Sequence, residues 1–513
     1  MNAWILLPVL LPALSGICLL CSSFKSHLGS SGKDVWHDLN EQERKKLHRF
    51  VGAVLVLTAV LALLAAWSGE HEVRLFELME KIPVYFHIDA VGRLFVTFVT
   101  IVWVAVGFYS FVYMKHEGEE RRFFGFFLLV YGVLIALDFA GNLVTMYLFY
   151  ELMTLCSMPL VMHNGSREAI MAALKYLFYS MCGAYLGLFG IFFLYHYCDT
   201  LAFTAGGSLN LSLVSGHEGV LLVAVMAMLI GFGAKAGMFP LHAWLPTAHP
   251  VAPSPASAAL SAVIVKSGVL AVVRVVYYMI GAEFLRGTWV QWAWLSLTLI
   301  TVFLGSLLAF REPVFKKRLA YSTVSQVSYV LFGLALLQPE AFTGALLHTV
   351  FHAFIKCALF LTAGIVIYQT GKTRVCELRG IGKEMPRTLW CYTFAALGLI
   401  GIPPMSGFVS KWYLAQGALS AQAGVFCYLG PAVLLVSALL TAGYLLPVTI
   451  DGFLPGRGWK RDSDEKPDQA GDGKEPPYGM LLPLAVLAAL TILLGLFPNP
   501  LASYIRDLAA TLL

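Results

Sequence analysis

The sequence predicts an all-α protein that crosses a membrane many times, and three observations predict it. Hydrophobic residues make up 58% of the 513 residues and charged residues only 13%. Soluble domains carry about 25% charge, so a water-soluble surface cannot be built from this composition. Apolar runs close to the length needed to cross about 30 Å of hydrocarbon as a helix recur along the chain, as at 123–140 and 480–497. A membrane β-barrel would need alternating segments of about ten residues instead. Lys and Arg, finally, gather in every second connection.

Fourteen spans are expected, centred near residues 12, 58, 101, 131, 151, 184, 231, 268, 299, 328, 355, 401, 438 and 489. The odd-numbered connections include 25–46, 115–122, 311–318, 372–387 and 457–474, and these segments hold 22 of the 35 Lys and Arg residues. The even connections offer little beyond Arg74, Lys81 and Arg286. Cytoplasmic loops carry the basic excess, so the odd loops are expected in the cytoplasm and both termini outside, in a plasma or inner membrane. The opening MNAWILLPVLLPALSG lacks a basic start and reads as a retained first helix rather than a cleaved signal.

The net charge of +5 is spread over many loops and reads as topology, with no nucleic-acid partner expected. The charged segment 455–478, rich in Gly and Pro, reads as a flexible cytoplasmic loop, followed by a last helix in 479–513. No soluble segment is long enough to bury a core, so no nucleotide-binding or extramembrane catalytic domain is expected. The cysteines lie mostly in apolar runs without His at ligand spacing, and no metal site is expected. Cys18 and Cys21 form a CxxC, but in the first span they read as small buried hydrophobes.

An ionisable side chain at mid-bilayer costs a few kcal/mol and is by default a functional candidate. Glu151 lies in NLVTMYLFYELMTLCSMPLV, Lys235 in LIGFGAKAGMFPLHAWLP, Lys266 in ALSAVIVKSGVLAVVR and Lys411 in PPMSGFVSKWYL. His348, His352 and Lys356 in HTVFHAFIK are spaced four apart, so they stack along one helix face over about 12 Å. Such a stripe suits a proton relay. The plainer alternatives are a Glu151–Lys235 ion pair that only fixes packing and hydrogen-bonded core histidines. Arg274 and Lys175 could snorkel to the headgroups, and Asp138 is expected near an interface.

A proton path can use lysine because burial penalises an ammonium and a nearby carboxylate pushes back, so moving that influence loads or unloads the amine. The helix interruptions point the same way. Pro240 follows Lys235 closely, and Pro403 and Pro404 with Gly407 precede Lys411. Proline frees backbone carbonyls, which is tolerated at membrane depth only where protein or water lines the gap. Broken helices beside a charge are a feature of ion-transport sites. The order of lysine and break is reversed between the two halves, as an inverted repeat would have it.

At these residues the chain resembles the antiporter-like subunits of respiratory complex I, of membrane-bound energy-converting hydrogenases and of Mrp-type sodium/proton antiporters. The resemblance rests on GFGAKAGMFPLHAWLPTAHPVAPSPASAALSAVIVKSGVLAVVR, KKRLAYSTVSQVSYVLFG, HTVFHAFIKCALF and IPPMSGFVSKW, and it is weakest before about residue 85. It implies about fourteen helices with broken helices 7 and 12: helices 1–3 in 1–122, one inverted five-helix repeat in 123–281 and a second in 282–454. It implies that Glu151 modulates Lys235, that Lys266 connects to a central relay of His348, His352 and Lys356, and that Lys411 stands on the exit side. Gln326 takes a place where some complex I versions have histidine, and some relatives carry glutamate where Lys411 stands. The lateral helix of one complex I subunit is not expected after the last span.

The function expected is proton translocation within a redox-driven membrane complex, with no cofactor, metal or catalytic residue in this chain. Partners would be other membrane subunits, further antiporter-like ones among them, and the lipid bilayer. The alternative is a subunit of a Mrp-type antiporter, in which sodium exchanges for protons without redox chemistry.

Overall fold

The computed structural model describes residues 3–28, 39–79, 82–456 and 475–513. Most of the predicted cytoplasmic loop, 457–474, lies outside them. Eleven helices among the described residues are long and apolar enough to cross a membrane. The spans expected near 131 and 328 are the helices Glu120–Asp138 and Phe315–Ala335, and the one near 401 is the pair Pro386–Ile400 and Ser406–Ser420. These fall outside the eleven because charges at their starts, or the break, interrupt the apolar run.

Burial identifies the centre of the bundle. The apolar windows of Ser254–Ile280 and Pro339–Thr370 are 100% and 94% buried, against 28% for Trp4–Ser22 and 33% for Phe426–Phe453. The two central helices carry most of the expected charged residues. Ser254–Ile280 winds as a π-helix on either side of Lys266–Val273, a departure that often marks functional positions.

Alternate connections collect at opposite ends. At one end Phe86 pairs with Ala140 and Asn142 with Ala202, the Gly206 amide donates to Tyr277 O at 3.1 Å, and Tyr504 Oη donates to Ala90 O at 2.8 Å. At the other Val314 pairs with Arg374, Thr388 donates to Glu475 at 2.9 Å, and Arg379 donates to Pro455 O. This separation is the one the Lys and Arg alternation requires.

Two elements depart from a purely spanning architecture. Strands Glu72–Met79 and Ile82–His87 pair antiparallel, and no Asn-Gly or Asp-Gly pair announces the hairpin. After Tyr478–Leu496, the short amphipathic helix Asn499–Leu512 buries Ala502, Ile505, Leu508, Ala509 and Leu512 at the hairpin end. Two other expectations need correction. Cys18 and Cys21 are exposed on the outside of the bundle, where their apolar character suits lipid. Arg274 does not snorkel: it is 1% exposed and ion-paired with Asp89. A Phe ring and a Tyr ring lie against its guanidinium, so it has no need of headgroups.

Candidate functional site

Lys235 is the last residue of the helix Glu218–Lys235, where the chain breaks through Pro240 before resuming at Leu245–Val251. The Phe239–Pro240 and Pro403–Pro404 peptide bonds are cis. Trp244 closes the break by donating to Ala234 O at 2.9 Å. The break lies directly against the central helix because position 268 is glycine: a Cβ there would stand 2.6 Å from Phe232 O and 3.1 Å from Lys235 Cβ.

Three hydroxyls surround the fully buried amine. Lys235 Nζ donates to Thr154 Oγ1 at 2.7 Å, Tyr176 Oη at 2.8 Å and Ser180 Oγ at 3.3 Å, and it lies 4.6 Å from the centre of the Tyr176 ring. Tyr176 and Ser180 are one turn apart on Arg167–Tyr197. Thr154 is one turn from Glu151 on Leu143–Val161. Glu151 is part-buried and within electrostatic reach of Lys235, but no ion pair joins them among the described residues. The plain ion-pair alternative therefore does not hold.

At the centre, Lys266 Nζ donates to Ser261 O at 2.6 Å and lies 2.7 Å from His352 Nδ1. His348 and His352 lie one turn apart on Pro339–Thr370, their rings tilted with centroids 5.9 Å apart. The tautomers follow from donor counting. Ser410 Oγ commits its one hydrogen to Gly407 O at 3.1 Å, so it accepts from His348 Nδ1 at 2.9 Å and leaves His348 Nε2 an acceptor. An ammonium at Lys266 makes His352 Nδ1 an acceptor and puts its hydrogen on Nε2. Both Nε2 atoms are buried without a partner, one a donor and one an acceptor.

Lys356 shares the stripe but turns away from it. Its amine donates to Leu319 O at 2.9 Å and Ser322 Oγ at 2.7 Å, and Tyr444 Oη donates to the same Ser322 at 2.8 Å. Lys411 reaches back across the second break to Leu399 O at 2.6 Å and Ile400 O at 2.9 Å, the carbonyl end of Pro386–Ile400, where the helix dipole favours a cation. It also lies 5.1 Å from the Tyr329 ring, which stacks on His348 at 5.7 Å.

The structure thus brings Lys266, His352 and His348 into one chain, with Lys411 adjoining and Lys235 and Lys356 in cages of hydroxyl and carbonyl groups. Sequence reasoning missed those cages and also His249, which is fully buried, has both ring nitrogens unpartnered and stacks on Phe360 at 4.7 Å. Its signal was a histidine between apolar residues in TAHPVAPSP. Gln326 is buried beside Tyr329, with neither amide atom in a hydrogen bond of normal geometry.

A helical membrane bundle with broken helices and buried amines that have no carboxylate partner among the described residues has the make-up of an ion-translocating membrane protein. Residues 140–440 match the family described as NADH:quinone oxidoreductase/Mrp antiporter, TM, and residues 79–124 match the NADH-ubiquinone oxidoreductase (complex I), chain 5 N-terminus. The chain belongs to this proton-antiporter-like family of membrane subunits. It is 36% identical to NADH-quinone oxidoreductase subunit N of Desulforudis audaxviator over 395 residues, 76% of this chain and 77% of that one. It is 30% identical to a Na+/H+ antiporter subunit of Bacillus subtilis over 518 residues, 100% and 98% of the two chains. A chain of the Mrp complex from Dietzia sp. DQ12-45-1b shares the fold with a TM-score of 0.80 at 22% identity, covering 100% of this chain and 98% of that one.

Proposed function

We propose that this chain moves protons as a membrane subunit of a redox-driven complex, complex I-like or a membrane-bound hydrogenase. The carrying observation is the Lys266–His352 contact at 2.7 Å, continued by the two unpartnered Nε2 atoms of His352 and His348. An ammonium at Lys266 passes its proton to His352 Nδ1. The resulting imidazolium sheds its Nε2 hydrogen toward His348 Nε2, with water able to bridge the gap. His348 then returns its Nδ1 hydrogen toward Ser410 and the Lys411 break. None of Lys235, Lys266, Lys356 and Lys411 has a carboxylate within ion-pair distance among the described residues, so each can gain or lose a proton without breaking a salt bridge.

In this reading Glu151 sets the loading of Lys235 from the facing helix, one turn before the Thr154 that holds the amine. The odd connections face the cytoplasm and both termini the outside, and a largely apolar groove of 680 Å³, lined by Met171, Leu174, Lys175, Phe178, Thr247 and Val251, runs along the helix that follows the Lys235 break. Redox centres reside on partner subunits, which include further antiporter-like chains. A second reading, a Mrp-type sodium/proton antiporter subunit, is favoured by the nearly complete coverage of both chains in the Bacillus subtilis comparison.

Purification of the tagged chain from its native membrane in mild detergent, with mass spectrometry of what copurifies, separates the two. Iron-sulfur, hydrogenase or quinone-reductase subunits support the redox-driven complex. Only small antiporter-type membrane subunits support the second reading.

A further inference from the structure

A second group of buried charges lies at the hairpin end of Ser254–Ile280, about 12 Å along the helix from Lys266. The Arg274 guanidinium is gripped through both nitrogens by Asp89, Nη2 donating to Oδ1 at 2.7 Å and Nη1 to Oδ2. Phe203 and Tyr278 flank it at 4.5 and 4.7 Å. Asp89 also accepts from the Gly92 amide at 2.9 Å, at the start of Ala90–Glu117. A second carboxyl belongs to the same group. Asp138, the last residue of Glu120–Asp138, is 2% exposed, and its Oδ2 has no hydrogen-bond partner. It lies within electrostatic reach of Arg274. Gly92 lets the two acidic residues approach each other, because a Cβ there would meet Asp138 O at 2.5 Å and Asp89 Oδ1 at 3.2 Å.

One guanidinium thus pairs with one carboxyl group and lies within electrostatic reach of a second. Two carboxylates would leave a net buried negative charge, whose desolvation costs several kcal/mol. One bound proton removes that charge. Asp89 is committed on both oxygens to cationic or amide donors, whereas Asp138 Oδ2 receives none, so the proton belongs on Asp138. The other titratable or charged neighbours of the group are His87 beside Asp89, Tyr278 beside Arg274, Tyr504 within electrostatic reach of both Asp89 and Arg93, and Tyr85. Tyr85 lies within electrostatic reach of Arg274 and also lines a polar cleft of 450 Å³ with Glu72, Arg74, Asn142 and Asp199.

We propose that Asp138 is a proton-binding site at the hairpin end of the translocation route, beside the Arg274–Asp89 pair. This rests on the proton-translocating reading above. On release, the Asp138 Oδ2–H bond breaks and the proton passes to a bridging water, toward the cleft that Tyr85 and Asn142 line. The carboxylate left behind shares Arg274 with Asp89 until a proton from the Lys266 side reloads it. His348, His352 and the lysines play no part in holding this proton.

Infrared spectroscopy of the assembled complex in native lipid tests the proposal without needing turnover. Wild type minus Asp138→Asn is expected to show the carbonyl band of a protonated carboxyl at neutral pH. Asp89→Asn, which makes Asp138 the sole counter-ion of Arg274, is expected to lose that same band. Asp138→Asn should also lower proton release at least about tenfold in an assembled complex, with partial rescue by Asp138→Glu. Absence of the band from wild type, or full proton release by assembled Asp138→Asn, overturns the proposal. A wild-type complex that moves no protons would remove the translocating reading, while the band would still report whether Asp138 binds one.

Discussion

Lys266 Nζ and His352 Nδ1 lie 2.7 Å apart, an amine and an imidazole from the two most buried helices sharing one hydrogen bond. If that bond is a step of the path, the two residues act as a unit. Lys266→Met and His352→Ala should each lower proton flux by at least about tenfold, and the double variant should be no worse than either single one. Flux into proteoliposomes containing the assembled complex checks this. Additive losses would mean that the contact is not a shared step.

The cage around Lys235 gives a ranked expectation. Thr154→Val and Tyr176→Phe remove the partners at 2.7 and 2.8 Å, and Ser180→Ala the one at 3.3 Å. Each hydrogen bond to a buried charge is worth about 1.5–3 kcal/mol. The first two should therefore depress flux several-fold and the third least, all in complexes that assemble normally. Equal effects from the three would show that the hydroxyls do not position the amine.

Because Glu151 makes no ion pair with Lys235, its removal should spare assembly. Glu151→Gln is expected to leave subunit content unchanged while the number of protons moved per turnover falls. Loss of the complex from the membrane, seen on native gels, would instead assign Glu151 a structural role.

Gly268 has no room for a side chain against Phe232 O and Ala236 N, at 2.6 and 2.7 Å. Gly268→Val should cost about 1–3 kcal/mol through overpacking and move the Lys235 break off the central helix. A lowered thermal unfolding midpoint, together with reduced flux, is the expected result. An unchanged midpoint would show that the crossing yields easily.

Much of this was legible in the sequence for one physical reason. A charge inside an apolar run is expensive, so Glu151, Lys235, Lys266, His348, His352, Lys356 and Lys411 stand out from their surroundings without any knowledge of partners. The breaks at Pro240 and at Pro403 and Pro404 were visible because each falls beside a buried lysine; proline alone is no sign, since Pro159, Pro431, Pro447 and Pro483 lie inside unbroken helices. What each charge touches was not legible. Thr154 and Tyr176 are ordinary membrane-helix residues until packing brings them to Lys235 from 81 and 59 residues away. Lys356 shares a face with His352, yet its long side chain finds Ser322 on another helix. Arg274 read as a residue near a helix end, and only the hairpin, itself without a turn signal, places Asp89 against it from 185 residues away.

The most direct measurement is proton translocation by the purified, assembled complex in sealed proteoliposomes, wild type against Lys235→Ala, with the driving reaction followed in parallel. Translocation should be largely abolished in the variant although the chain inserts and its partners remain bound. Undiminished translocation by an assembled Lys235→Ala complex would contradict a proton path through the buried lysines.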